Sequence, residues 1–142
     1  MKQALDYLKS QICTLKPIEP ISEDGYHKFT DNCVVVLMSG GESSRFREVS
    51  NTADANKNAF KLPNGDTMIE MTIRMYKDAG FKDFVVLAYH QAKSLEDILG
   101  NGEKLGVNIS FSYDPGPVGK GGAVRNAFEK GFISNDKYFI IH

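Results

Sequence analysis

The hydrophobic and polar positions alternate between two kinds of pattern along the chain. Residues 1–16 place Leu5, Leu8, Ile12 and Leu15 at helical spacing, which predicts an amphipathic helix. Pro17 and Pro20 end it. Residues 17–32 are polar, hold Gly25 and show no periodicity, and they read as a linker in which His27 is solvated. The body then opens with Cys33-Val34-Val35-Val36-Leu37-Met38, a β-branched run without polar breaks, as expected of a strand buried on both faces.

A polar loop from Ser39 to Asn58 follows. Thr67 to Ala79 reads as a helix whose first turn carries a capping box, Thr67 with Glu70. Met68, Met71, Met75 and Ala79 share one stripe, widened by Ile69, Ile73 and Tyr76, and the methionines are expected in the core. Gly80 stops the helix. Phe84–Ala88 is a second buried strand, Ala92–Leu99 a short helix closed by Gly100, and Val107–Tyr113 a third strand. Gly119–Phe132 is a helix with Val124, Ala127, Phe128 and Phe132 inward, and Tyr138–Ile141 starts a fourth strand. Repeated strand–helix–strand units imply a parallel sheet covered on both faces. Ligands of such sheets bind beyond the carboxyl ends of the strands, so the loops after Met38, Ala88, Tyr113 and Ile141 should line one edge.

Composition changes this picture little. The 142 residues suit one domain, with 1–16 and 17–32 as its leading helix and linker and 33–142 as its body. A net charge of −1 offers no basic field for nucleic acid and no polybasic patch for a membrane. No stretch approaches a membrane span, and Lys2, Asp6 and Lys9 interrupt any signal-like run, so a cytoplasmic location is expected. Cys13 and Cys33 have no metal-ligand spacing, and Cys33 reads as a small buried hydrophobe.

Two loops carry candidate chemistry. After the first strand comes Met38-Ser39-Gly40-Gly41-Glu42-Ser43-Ser44-Arg45-Phe46. Small residues let backbone N–H groups approach a phosphate, and Arg45 adds a fork of donors. Lys57, further on, is a point charge suited to polyphosphate. The bland alternative is a Gly/Ser loop with two solvated cations. The second loop, Asp114-Pro115-Gly116-Pro117-Val118-Gly119-Lys120-Gly121-Gly122-Ala123, leads from a strand into a helix start. It is no P-loop: Asp114 stands where a P-loop has its first glycine, and Gly121 stands where Ser or Thr would hold magnesium. A dinucleotide G-x-G-x-x-G fails in both loops. His90, at the end of the second strand, lies on the presumed ligand edge as a possible substrate contact.

Met38 to Phe46 resembles the L-A-A-G-x-G-T-R-L signature of nucleotidyltransferases of the sugar-1-phosphate nucleotidylyltransferase kind. Lys57 falls where that family's signature lysine follows, and Leu62-Pro63-Asn64-Gly65-Asp66-Thr67-Met68-Ile69-Glu70 is similar to its L-P-V-G-G-K-P-L-I-E continuation. Pro117 to Val124 resembles its P-L-G-T-A-G-A-L element. The resemblance runs from about Val34 to the end.

It implies a Rossmann-like three-layer α/β/α sandwich with a mainly parallel sheet, of the GT-A-like nucleotidyltransferase type. It also implies transfer of a nucleoside monophosphate from a nucleoside triphosphate to a sugar 1-phosphate, with release of pyrophosphate. Arg45 would stabilise the leaving pyrophosphate and Lys57 the α-phosphate. The backbone of Met38, Ser39, Gly40 and Gly41, with Ser43 and Ser44, would hold the nucleotide, and Asp114, Gly119 and Lys120 the nucleoside. Magnesium would bridge the phosphates.

Ser43 and Ser44 depart from the signature's glycine and threonine, and the Ser-Arg pairing also occurs in cytidylyltransferase-like relatives. Lys120 replaces a usual threonine, and Asp114 a glutamine or glutamate. These departures bear on base preference. Tyr138 to His142 resembles the strand leading to the family's N-G-D element, and the chain stops before that metal-binding aspartate. His142 reads as a strand-end residue. The chain therefore reads as the N-terminal portion of a longer enzyme. The rivals are a non-catalytic nucleotide-binding or regulatory module on the same fold, a cytidylyltransferase-like enzyme acting on another phosphorylated substrate, and a structural piece whose N-terminal stripe mediates assembly into a homo-oligomer.

Overall fold

A computed structural model describes residues 20–42, 44, 46 and 56–142. The expected amphipathic helix over 1–16 lies outside the described residues. Four strands, β1 (Cys33–Met38), β2 (Asp83–Ala88), β3 (Asn108–Tyr113) and β4 (Tyr138–Ile141), form one parallel sheet in the order β3-β2-β1-β4. Among the described residues, helices α1 (Glu23–Asp31), α2 (Met68–Asp78), α3 (Ala92–Leu99) and α4 (Gly119–Glu129) accompany them. Single 3₁₀ turns occupy Lys57–Ala59 and Glu103–Leu105.

Successive strand side chains point to opposite faces. In β1 both faces are covered, so no polar residue is tolerated. Cys33, Val35 and Leu37 join Phe84, Val86, Ile109 and the α2 and α3 residues Ile69, Ile73, Leu95 and Leu99 in one core. Val34 and Val36 join Val85, Leu87 and the α4 residues Ala123 and Ala127, with Ile133, in the other. The β1–β2 register pairs Val35 with Phe84 and Val36 with Val85, which keeps each core on its own side. The result is the three-layer α/β/α arrangement. No helix among the described residues is long and apolar enough to cross a membrane.

The capping box forms as expected: Thr67 N and Oγ1 both donate to Glu70 Oε2 at 2.8 Å, and Glu70 N donates back to Thr67 Oγ1. Three expectations fail. Within the segment read as a linker, residues 23–31 form α1, capped by Ser22, whose Oγ accepts from Gly25 N. Acidic Glu23 and Asp24 at its start and Lys28 near its end suit the helix dipole. The helix is anchored by Phe29, whose ring meets Phe81 and Tyr138, and by Tyr26, whose hydroxyl donates to Ala79 O at 2.7 Å.

Met68, Met71 and Met75 are not core, and Met75 is 54% exposed. The helix α2 also makes a polar contact on each flank. Lys77 Nζ donates to Leu105 O on the β3 side, and Tyr76 Oη meets His142 Nδ1 on the β4 side. Ile69 and Ile73 face the sheet, where their burial removes β-branched apolar surface from water, and the methionines stay outside. Phe132 is also exposed, because α4 ends at Glu129 and Gly131, at φ +76°, turns the chain so that Ile133 enters the core instead. Cys33 is buried, which raises its thiol pKa. The edge strand β4 leaves Tyr138, Phe139 and Ile141 exposed.

Candidate functional site

The carboxyl ends of β1, β2 and β3 converge on a cavity of about 370 Å³. The convergence follows from the parallel ladder. Ser39 N donates to Leu87 O at 2.9 Å and Asp114 N to Ala88 O at 2.9 Å, so the three strands release their chains side by side. Gly40 sits where they meet. A Cβ there would lie 3.4 Å from Tyr89 Cβ and 3.6 Å from Asp114 Oδ2, in ordinary contact with the two neighbouring loops. Gly41 faces open space.

One wall of the cavity is Met38 at the end of β1 and Gly40, Gly41 and Glu42 after it, with Leu87 of β2 and Tyr89 just beyond β2. The opposite wall is the Asp114–Lys120 segment and Ala123. Gly119, at φ +70°, opens α4 in a left-handed conformation that favours glycine. Its N-cap residue, Val118, makes no side-chain capping bond, so the first N–H groups of α4 are left for solvent or a ligand beside the cavity. A Cβ at Gly122 would lie 2.8 Å from Val118 Cβ, and a larger residue would force this first turn apart.

Lys57 also lines the cavity. Its position depends on Asn56, which is almost fully buried and which the sequence reading did not single out. Asn56 Nδ2 donates to Ser39 O at 2.7 Å and to His90 O at 3.2 Å, and its Oδ1 accepts from Asn58 N at 3.0 Å. Asn58 Nδ2 donates to Ser39 Oγ at 2.9 Å. Two asparagines thus tie the turn bearing Lys57 to the ends of β1 and β2.

Asn126, in the middle of α4, plays a comparable part across the cavity. Its Nδ2 donates to Tyr113 O at 3.0 Å and to Asp114 Oδ1 at 2.8 Å. Nothing in the sequence pattern marks Asn126, because the contact exists only once α4 packs on the end of β3. Tyr113 itself has its pKa pushed up to about 12, first by burial and then by the hydrogen bond from its hydroxyl to Glu96 and the Glu96 charge.

Of the residues expected at the site, Met38, Gly40, Gly41, Lys57, Asp114, Gly119 and Lys120 line this one cavity. Ser39 is buried behind it as a hydrogen-bonding support. His90 and Ser44 are not among its lining residues; the His90 carbonyl serves as an anchor for Asn56. Ser43 and Arg45 lie outside the described residues.

A model of the nucleotidyl transferase family matches residues 34–141, spanning the sheet and both cavity walls. The chain belongs to this family. Among curated proteins, the low-salt glycan biosynthesis nucleotidyltransferase Agl11 of Haloferax volcanii is 29% identical over 104 residues, covering 72% of this chain and 28% of Agl11. Among solved structures, HddC from Yersinia pseudotuberculosis complexed with GMP-PN has a TM-score of 0.62 at 22% identity, covering 76% of this chain and 46% of HddC. A second HddC structure gives the same TM-score at 23% identity and supports the same fold. This nucleotidyl transferase chain therefore spans about a quarter of the curated relative and under half of the structural one.

Proposed function

We propose that the chain forms the nucleotide-binding part of an enzyme that transfers a nucleoside monophosphate from a nucleoside triphosphate to a sugar 1-phosphate. An oxygen of the sugar phosphate attacks the α-phosphorus, the bond to the bridging oxygen breaks, and pyrophosphate leaves with the electron pair. Such reactions ask a protein mainly for positioning and charge neutralisation. The observation that carries the reading is Lys57 on the same cavity as the glycine loop Gly40–Gly41 and the uncapped start of α4.

In this reading the Lys57 ammonium offsets charge at the α-phosphate. The backbone from Met38 to Gly41 holds the nucleotide, and the Asp114–Lys120 segment holds the nucleoside. Arg45 meets the leaving pyrophosphate, a role that rests on the resemblance of its loop. Magnesium is proposed to arrive with the nucleotide. No group of three His, Cys, Asp or Glu side chains among the described residues stands ready to hold it, and no step here passes through the metal. The glycan-biosynthesis relative agrees with a sugar-phosphate acceptor.

The test is thermal unfolding of this chain with ATP, CTP, GTP, UTP and dTTP in magnesium buffer, followed by pyrophosphate release on adding sugar 1-phosphates. A nucleotide at a hundredfold excess over its Kd stabilises the fold by about 2.7 kcal/mol. That gain should vanish in Lys57→Ala. If no nucleotide raises the unfolding temperature, the reading fails. Binding without pyrophosphate release from any sugar 1-phosphate would favour a non-catalytic nucleotide-binding module instead.

A further inference from the structure

The helix α2 carries an apolar row that the described body leaves uncovered. Met68, Met71 and Met75 recur at three and four, so they share one side of the helix. All three are exposed, and neither hydrophobic core includes them. Phe60, also exposed, lies beside the amino end of the row, where Met68 N donates to Phe60 O at 3.2 Å. Single exposed apolar residues are ordinary, but a contiguous row of large ones marks a contact surface. Methionine suits such a surface because its unbranched thioether adapts to the shape of a partner.

The chain itself supplies a matching row. Leu5, Leu8, Ile12 and Leu15 also recur at three and four, in the amphipathic helix expected over residues 1–16. Both rows follow the spacing by which two helices pack along a common seam. Their lengths agree: Leu5 to Leu15 would rise about 15 Å, and the 11 residues of α2 about 16 Å. The point of attachment fits as well. Tyr26 Oη donates to Ala79 O at 2.7 Å, and a Cβ at Gly80 would meet Thr30 Oγ1 at 3.5 Å, so α1 lies against the carboxyl end of α2. Residues 17–21 lead into α1, and five residues span at most about 17 Å. Lys16 is therefore within reach of the carboxyl end of α2, and the segment before it can run back along the helix, with Leu15 nearest Met75 and Leu5 nearest Met68.

We propose that residues 5–15 pack antiparallel on the methionine row of α2 in the same chain, Leu8 and Ile12 covering Met71 and Met75. The occupant is this chain's own leading segment because its apolar spacing, its length and its attachment beside α2 all match the uncovered face. None of Phe60, Met68, Met71 and Met75 lines the nucleotide cavity, so the docking holds or fails apart from the proposed reaction.

Peroxide converts an accessible methionine to its sulfoxide, at a rate that follows exposure. Oxidation of each methionine is followed by mass spectrometry on the full chain and on its Leu8→Asp/Ile12→Asp variant, with light scattering to give the mass at each concentration. Met71 and Met75 are expected to react several-fold more slowly in the full chain than in the variant. Ser10→Asp, on the opposite face of the expected helix, should leave that protection in place. The reverse change, Met71→Glu/Met75→Glu, should raise amide exchange across residues 5–15 to the rate of an unstructured peptide. Both methionines are exposed, so the body should keep its unfolding temperature. Equal oxidation rates in the full chain and in Leu8→Asp/Ile12→Asp, or amide exchange across residues 5–15 unchanged by Met71→Glu/Met75→Glu, would overturn the proposal. Protection that grows with concentration as a dimer forms would overturn it too, by assigning the methionine row to a second copy.

Discussion

Replacing Asn56 by alanine removes three hydrogen bonds at once: two donated by Nδ2, to Ser39 O and His90 O, and one accepted by Oδ1 from Asn58 N. Asn56 is only 2% exposed, so water does not readily replace these partners. A net contribution of about 0.5–1.5 kcal/mol per bond gives a loss of about 2–4 kcal/mol for Asn56→Ala. For a domain of this size that is a fall in Tm of order 10 °C. Asn56→Asp makes a sharper comparison. It keeps the shape and the bond from Asn58 N, but sets an acceptor-only carboxylate against two carbonyl oxygens. At neutral pH it should cost at least as much as alanine, and part of the loss should return in mild acid, when the carboxyl gains a proton to donate. Urea unfolding followed by circular dichroism, at pH 7 and pH 5, reads both effects. Nucleotide affinity, measured well below the unfolding transition, should fall as well, because the turn bearing Lys57 loses its tether. If Asn56→Asp lies within about 0.5 kcal/mol of the unaltered chain at pH 7, where an ordinary surface change would fall, the amide does not hold this corner of the site and the reasoning fails.

Two further predictions concern charge. Burial alone would raise the Asp83 pKa, but hydrogen bonds from Asn108 and Lys137, and the Lys137 and Lys82 charges, outweigh it and hold the carboxyl below its ordinary 3.8. A depressed folded-state pKa contributes stability above the unfolded value and loses it as pH falls through the folded one. Asp83→Asn should therefore lower stability at pH 7 and flatten its decline below about pH 4; an unchanged acid limb in urea titrations would count against this. Tyr113, at about 12 against an ordinary 10.0, favours the folded state below the unfolded value, and that gain is lost as pH rises through the folded one. Ultraviolet titration should show one tyrosine ionising late, and Glu96→Gln should move it back toward 10.0; a titration unaffected by that change would refute the Glu96 contribution.

Much of the fold was legible because the signals are local. An unbroken Cys33–Met38 run can only be a strand covered on both sides, and the Thr67–Glu70 box closes within one turn of helix. The missed helix α1 had local signs too, Ser22 ahead of Glu23 and Asp24, but its polar face hid them, and its anchors Phe81, Ala79 and Tyr138 are distant in the chain. The site was readable where backbone geometry demands small residues, as at Gly119 and Gly122.

By itself, the sequence determined the alternation of strands and helices, hence a parallel sheet, hence an edge where loops rich in glycine and carrying Lys57 and Asp114 must gather. Period, capping and chain connectivity suffice for that. Tertiary structure alone decided which arc of α2 meets the sheet. Seven apolar candidates shared that helix, and only packing against the sheet separates Ile69 and Ile73, in the core, from the exposed methionines. It also decided that Asn56 and Asn126 hold the two sides of the cavity. A side-chain amide carries no periodic signal, and its partners are named only when elements far apart in the chain are packed together.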